Sequence, residues 1–449
     1  APGGGKRMGA GTGEKRLNIK KATSMLDAVM IFTSLLRAGP VASLDPSLKV
    51  PKQHASVSRR SFFQASATAA ALAAPSLSSA ASLDGYDPSS AVTRPDAGRS
   101  YFPPLTPPLT NRATYRYELG RDMWALEQLL VFANVSATVR TVVVKLQDGS
   151  LWVNGPQWPT GEFCALLDEL GPVAHVVLGA NALEHKAPMK AFTKKYPEAS
   201  VWIVPGQYGP FGECGLSVAS AKKMGYRVDG VLPVGAPKAG DPLPPWADEF
   251  AMRTLYVDLP ENAGPVSEAA FFHLPTRTLV ATDAVVFVPN EAPPIFSTYF
   301  DDALVSEPDF WPKSVLQAVF LPLRSGSGGD EAQGISWPGF DAVRGRLLRA
   351  PILRAFSDAR APGAVREWVK SVIEMGAFDR VETAHFASPI RATPAELLDS
   401  FAYLDGPSSK SPPIPCEDWA LLGGLNTAID TNKLGAPVVF DFKAGCEAN

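Results

Sequence analysis

Cysteine and histidine are both scarce in this chain, four and five among 449 residues. The cysteines (Cys164, Cys214, Cys416 and Cys446) show no Cys-x-x-Cys spacing, which excludes a zinc ribbon built on paired knuckles. Cys416 and Cys446 bracket the C-terminal stretch, and an oxidising compartment would let them pair. Spacing alone does not establish the required geometry, so free thiols are the expectation. Long apolar runs are lacking too. The one such run in the basic leader, Ala28–Leu36, is far shorter than the ~20 residues of a bilayer span. Gly-Ala-Gly-Thr-Gly-Glu-Lys at residues 9–15 lacks the spacing, the Ser/Thr and the preceding strand of a phosphate loop, so that reading is rejected. No internal repeat is present.

What is there suits a globular protein with a large core: 46% hydrophobic residues and a mean hydropathy near zero. By length alone about three domains are expected. The net charge of −3 hides an asymmetry, because residues 1–60 hold eleven Lys/Arg against three Asp/Glu. A basic head on an acidic body points to a removable address, not to nucleic-acid binding. Ser58-Arg59-Arg60-Ser61-Phe62-Phe63, the weakly apolar stretch Ala65–Ala74 and the small residues Ser78–Ala81 follow in the order of a twin-arginine translocation signal. Behind its acid-poor leader this resembles the bipartite presequence of a thylakoid-lumen protein, with bacterial periplasmic export as the alternative. The expected division is a basic plastid transit-like leader (1–57), the signal (58–83) and a Pro-rich extended arm (84–112). A folded domain (113–405) and a linker with C-terminal tail (406–449) complete it. The mature chain would begin near residue 82, with no transmembrane helix.

From Tyr115 onward the pattern tightens. Ala137–Lys145 and Leu151–Val153 flank Asp148-Gly149, a strong hairpin signal, with Trp152 and Trp158 expected to pack at its end. Thr160–Leu170 has helical spacing, Val173–Leu178 reads as a buried strand, and a helix over Pro188–Tyr196 leads to a strand at Val201–Val204. This is an α/β pattern. After a loop-like stretch (205–250) and a strand at Leu255–Leu259 comes a hairpin. Its arms are Ala269–Phe272 and Thr278–Thr282, and it ends at Asp283. The arms are apolar without alternation, as strands covered on both faces are. Pro308–Val319, Asp341–Ala355 and Ala364–Met375 look helical, the second studded with Arg344, Arg346, Arg349 and Arg354. Such a run is usually a solvated helix face, less often an anion site. Phe378–His385 reads as a strand delivering a histidine, and Thr393 with Glu396 forms a capping box for a helix to Tyr403.

Three strand ends thus carry ligand-type residues: Glu184-His185, Asp283 and His385. Two carboxylates and two imidazoles form a donor set suited to zinc, manganese or iron. His175 and His273 read as structural residues, and His54 lies in the presequence.

The segment from about Tyr115 to Tyr403 resembles the metallo-β-lactamase superfamily, and more closely the DUF4336 family assigned to that fold. The resemblance rests on Asp122–Gln128, Thr138–Leu146, Leu178–His185, Tyr196-Pro197, Phe271–Asp283 and Phe378–His385. It implies a four-layer αββα sandwich with its site at one edge of two packed sheets. The superfamily motif His-x-His-x-Asp-His falls on Ala180-x-Ala182-x-Glu184-His185, so both leading histidines are missing. A further histidine would fall near Gly264 and is missing too. Glu184, His185, Asp283 and His385 match the second-site ligands, which implies at most one divalent metal, or none. The leading functional reading is a non-catalytic binding or assembly subunit of a thylakoid membrane protein complex, reaching its partner with arm and tail. The alternative is a single-metal hydrolase of an ester or phosphoester. A lipid- or pigment-handling role for the Trp-rich hairpin region ranks third.

Overall fold

The apolar runs assemble into two mixed β-sheets. The computed structural model describes residues 81–100, 111–132, 135–209, 212–213, 224–259, 265–326, 336–406, 414–431, 436–444 and 446. The basic leader, Arg59-Arg60, His54, Cys214 and Gly264 lie outside these residues.

In chain order the strands are β1 (Ser82–Leu83), β2 (Tyr115–Gly120), β3 (Met123–Phe132), β4 (Val135–Lys145), β5 (Leu151–Asn154), β6 (Val173–Leu178) and β7 (Ser200–Ile203). A small hairpin, β8 (Tyr208–Gly209) and β9 (Gly212–Glu213), and β10 (Gly230–Val231) follow. Then come β11 (Phe250–Val257), β12 (Val266–His273), β13 (Thr278–Val280), β14 (Val286–Phe287), β15 (Leu347–Leu348), β16 (Arg380–Glu382) and β17 (Ile390–Arg391). One sheet has the order β10-β7-β6-β5-β4-β3-β2 and the other β1-β17-β16-β13-β12-β11.

Side chains alternate across a strand, so a strand buried on both faces must be apolar throughout. Here alternate residues enter different cores. Val142, Val144 and Trp152 meet Phe250, Met252, Ala269, Phe271 and Val280 between the sheets. Val143, Leu151 and Val153 point the other way, onto Phe163, Leu166 and Leu167 of helix Gly161–Asp168 and Phe192 of helix Met189–Lys195. On the far side, Ala270, Phe272 and Leu279 pack against Val365, Trp368, Val369 and Val372 of helix Pro362–Ile373. The result is the expected helix–sheet–sheet–helix order, and every residue of β12 is buried.

Several expectations are corrected. Trp152 does not cap the hairpin end but fills the inter-sheet core, its ring 4.5 Å from that of Phe250 and 5.3 Å from that of Phe271. β11 starts at Phe250, five residues earlier than its apolar run suggested. Asp341–Ala355 is not one helix. Helix Pro338–Val343 stops at Arg344, Gly345 turns the chain at φ +66°, and β15 pairs with β14 before a π-helical turn at Arg354–Asp358. Nor are its arginines a solvated face: Arg344 is exposed beside Asp341, whereas Arg349 and Arg354 are buried.

The tail is part of the fold. Helix Ala420–Thr431 and its flanks place Trp419, Leu422 and Phe442 in a core with Phe296, Trp311 and Phe340. Cys416 and Cys446 form a disulfide, with 5.0 Å between their Cα atoms, where free thiols were expected. The described part of the arm also packs on its own chain: the Val92 N–H donates to the Arg116 carbonyl at 2.8 Å, and Arg94 and Arg99 bind Glu169 and Glu162. Ser82–Leu83, expected at the end of the signal, instead pair as β1 with β17.

Candidate metal centre

Three strands deliver the four ligand-type side chains to one edge of the sandwich. β13 and β16 run parallel as neighbours, so the segments after them, with Asp283 and His385, leave the sheet side by side. β6 ends on the facing sheet at Leu178, where Gly179 must pass close to the opposite layer. A Cβ there would lie 2.8 Å from Asn154 Oδ1 and 2.9 Å from Thr282 Oγ1. The next residues are stitched across to β12. The Ala269 N–H donates to the Gly179 carbonyl at 2.7 Å, the Ser267 N–H donates to Asn181 Oδ1 at 3.1 Å, and Asn181 Nδ2 donates to the Pro265 carbonyl at 2.6 Å. The short helix Leu183–Lys186 then presents Glu184 and His185.

One ligand atom from each of Glu184, His185, Asp283 and His385 lies within 4.8 Å of all the others. Asp283 Oδ1 is 3.1 Å from His185 Nε2 and 3.1 Å from His385 Nε2, and Glu184 Oε1 is 3.8 Å from His385 Nε2. The His185 side chain is fully buried, and that of Glu184, at 28% exposure, is the most open of the four. His385 Nδ1 donates to the Thr138 carbonyl at 2.9 Å, which turns Nε2 toward the cluster. Burial alone would lower the His185 pKa, but the Asp283 charge and hydrogen bond outweigh it and push the imidazole up to about 9. Burial works to raise the Asp283 carboxyl, yet His185 and then His385 hold it well below the usual carboxylate range.

These donors fit one cation. Ligands bound at about 2.0–2.2 Å sit roughly 3–4 Å from one another, and the separations of 3.1, 3.1 and 3.8 Å fall in that range. Ala180 and Ala182 offer no ligand for a second ion. The remaining described histidines stand apart, as expected of structural residues. His175 Nδ1 is 2.8 Å from Ser200 Oγ, and His273 Nδ1 is 2.8 Å from Thr276 Oγ1, with burial pushing the His273 imidazole down to about 4.

Sequence reasoning missed Glu268. Its carboxylate is buried, and Oε1 accepts from the backbone N–H groups of Thr282 (3.1 Å), Asp283 (2.7 Å) and Ala284 (2.5 Å). Arg349 Nη1 stands 3.7 Å from Glu268 Oε2 and donates to the Ala284 carbonyl at 3.1 Å. The same guanidinium holds Asp358 in a buried two-point pair, at 3.0 Å for each bond. One signal was available: a lone acid inside a continuous apolar strand requires partners when buried.

Two mixed sheets packed between helices, with a His/Asp/Glu cluster where strands of both sheets end, make this a fold of the metallo-β-lactamase type. Residues 121–315 and 334–403 match the family described as "Domain of unknown function (DUF4336)", and the chain belongs to that family. No curated protein matches it by sequence. Among solved structures it is similar to the metal-soaked Flv1 flavodiiron core from Synechocystis sp. PCC6803, at 10% identity and TM-score 0.37, over 66% of this chain and 62% of that one. It is also similar to a metallo-β-lactamase from Pontibacter korlensis, at 10% identity and TM-score 0.30, over 65% of this chain and 99% of the other. A β-lactamase domain protein from Burkholderia ambifaria matches at 12% identity and TM-score 0.33, covering 65% and 73%.

Proposed function

We propose that this protein holds one divalent cation (zinc, manganese or iron) on Glu184, His185, Asp283 and His385, and is a single-metal hydrolase of an ester or phosphoester. The observation that carries the reading is the convergence of these four side chains, from three separate stretches of sequence, on one point at a sheet edge. A cation held there would supply Lewis-acid polarisation of an ester or phosphoryl oxygen. The protein's own contribution is orientation. Thr138 sets the His385 tautomer, burial fixes the His185 ring, and Glu184 stands at the more open side, where a substrate enters. The donor count supports one ion, so the reading does not use a two-metal clamp.

The alternative of a non-catalytic subunit has less support. It relied on a free arm and tail, and the residues described in both are committed to the chain's own fold. Elemental analysis of the full chain purified under metal-replete conditions should find about one equivalent of metal, lost in the His185→Ala, His385→Ala double variant. Absence of metal, or metal retained in that variant, would overturn the proposal.

For location, the proposal is the thylakoid lumen. Its supports are the twin-arginine order at residues 58–81 and the Cys416–Cys446 disulfide, a bond that persists in oxidising compartments. Arg59→Lys with Arg60→Lys should abolish import into the lumen of isolated plastids, and normal import would refute it.

A further inference from the structure

We infer that Glu268 is the positioning residue of the metal centre, and that Arg349, anchored by Asp358, holds Glu268 to that task; the inference rests on the proposed single-metal reading. Asp283 is the one ligand whose oxygen approaches both imidazoles, and it sits on no regular element. Left to itself, a loop following a three-residue strand would sample several backbone conformations. Three consecutive amides, those of Thr282, Asp283 and Ala284, instead point at a single carboxylate oxygen. That arrangement fixes the backbone on both sides of Asp283, and with it the direction of the side chain.

The carboxylate cannot swing away. Glu268 lies on β12, whose register with β11 and β13 is set by eight and three residue pairs. Its other oxygen faces Arg349, which also clamps the Ala284 carbonyl, so both peptide faces of the turn are tied to one buried ion pair. Asp358 occupies two guanidinium nitrogens and accepts from Ser357 Oγ and Tyr403 Oη, which immobilises Arg349 in turn. β12 is also where the Gly179–Asn181 loop is stitched, through Ser267 and Ala269. One stretch, Ser267–Ala269, thereby sets the Asp283 turn and the approach to Glu184 and His185 together.

The test uses the full chain with Glu268→Gln and Arg349→Lys variants and cobalt(II) as probe. Two readouts are needed: cobalt affinity with its visible spectrum, and amide hydrogen exchange over residues 278–287 without metal. Both variants should remain folded, bind cobalt about 10–100-fold more weakly, as losses of supporting hydrogen bonds do, and show an altered spectrum. They should also exchange faster at residues 282–284 with other regions unchanged. Wild-type affinity and spectrum in both variants would overturn the inference. If the wild-type chain binds no cobalt, the single-metal reading falls; the exchange data then decide this inference alone, and unchanged protection at residues 282–284 would overturn it. Failure of both variants to fold would make the network a purely structural one and overturn the assignment as well.

Discussion

A buried imidazole ordinarily gives up its proton, because burial penalises the charged form. His185 does the reverse, since Asp283 lies within hydrogen-bond reach. In metal-free protein this pair stabilises the fold while His185 is charged and Asp283 ionised. The His185 share is complete below its ordinary value of 6.5 and is lost as pH climbs through about 9. The Asp283 share is present above the ordinary carboxylate value of 3.8 and is lost only in stronger acid, because its pKa is depressed. A cation held on the proposed ligands would have to displace the His185 proton. Cobalt affinity should therefore rise about tenfold per pH unit between roughly 7 and 9 and level off above. Chelator-competition titrations at stepped pH check this, and a flat profile over that range would mean that binding removes no proton from His185.

At the scale of elements, the decisive feature is how tightly the end of β6 approaches the other sheet. Gly179→Ala would press a methyl group against Asn154 Oδ1, Thr282 Oγ1 and Phe271. Overpacking of this kind costs about 1–3 kcal/mol, and here it also pushes the loop that carries Glu184 and His185. Urea unfolding should show the loss of stability, together with weaker metal binding. Gly363→Ala, in helix Pro362–Ile373 with open space around its Cβ position, is the matched control. It should be neutral or slightly stabilising, as Ala is the better helix former.

For the whole molecule, the tail closes the structure. The disulfide joins residues 30 apart and fastens the segment that carries Trp419 and Leu422 into the core. Constraining a loop of that length is worth about 3–4 kcal/mol in the chain-entropy account. The Cys416→Ser, Cys446→Ser variant should melt at lower temperature than the oxidised protein, and reductant should shift only the oxidised form. The tail also reaches toward the site. Arg354, stacked 4.0 Å from the Tyr403 ring centroid and 4.9 Å from that of Trp419, lies in the same π-helical turn as Asp358.

Much of the framework was legible in the residues themselves. β6 falls at Val173–Leu178 as read, and Thr393 makes the reciprocal capping box with Glu396. The hairpin ending at Asp283 also forms where the apolar runs placed it. Unbroken apolar runs and local capping bonds depend on near neighbours, and near neighbours are visible in a sequence. Periodicity failed at Asp341–Ala355, where Gly345 and the pairing of β15 with β14 overrode it.

What the sequence by itself determined was the kind of residue at each strand end: two imidazoles and two carboxylates, with alanines where two further histidines would stand. Only the tertiary structure decided that the four meet within 4.8 Å, that Arg349 is buried and not solvated, and that Glu268 holds the turn bearing Asp283. The reason is physical. A buried charge is tolerable only with its partner, and the partners here, Glu268 with Arg349 and His185 with Asp283, lie 81 and 98 residues apart along the chain. That distance is closed by the packing of two sheets, which no local pattern encodes.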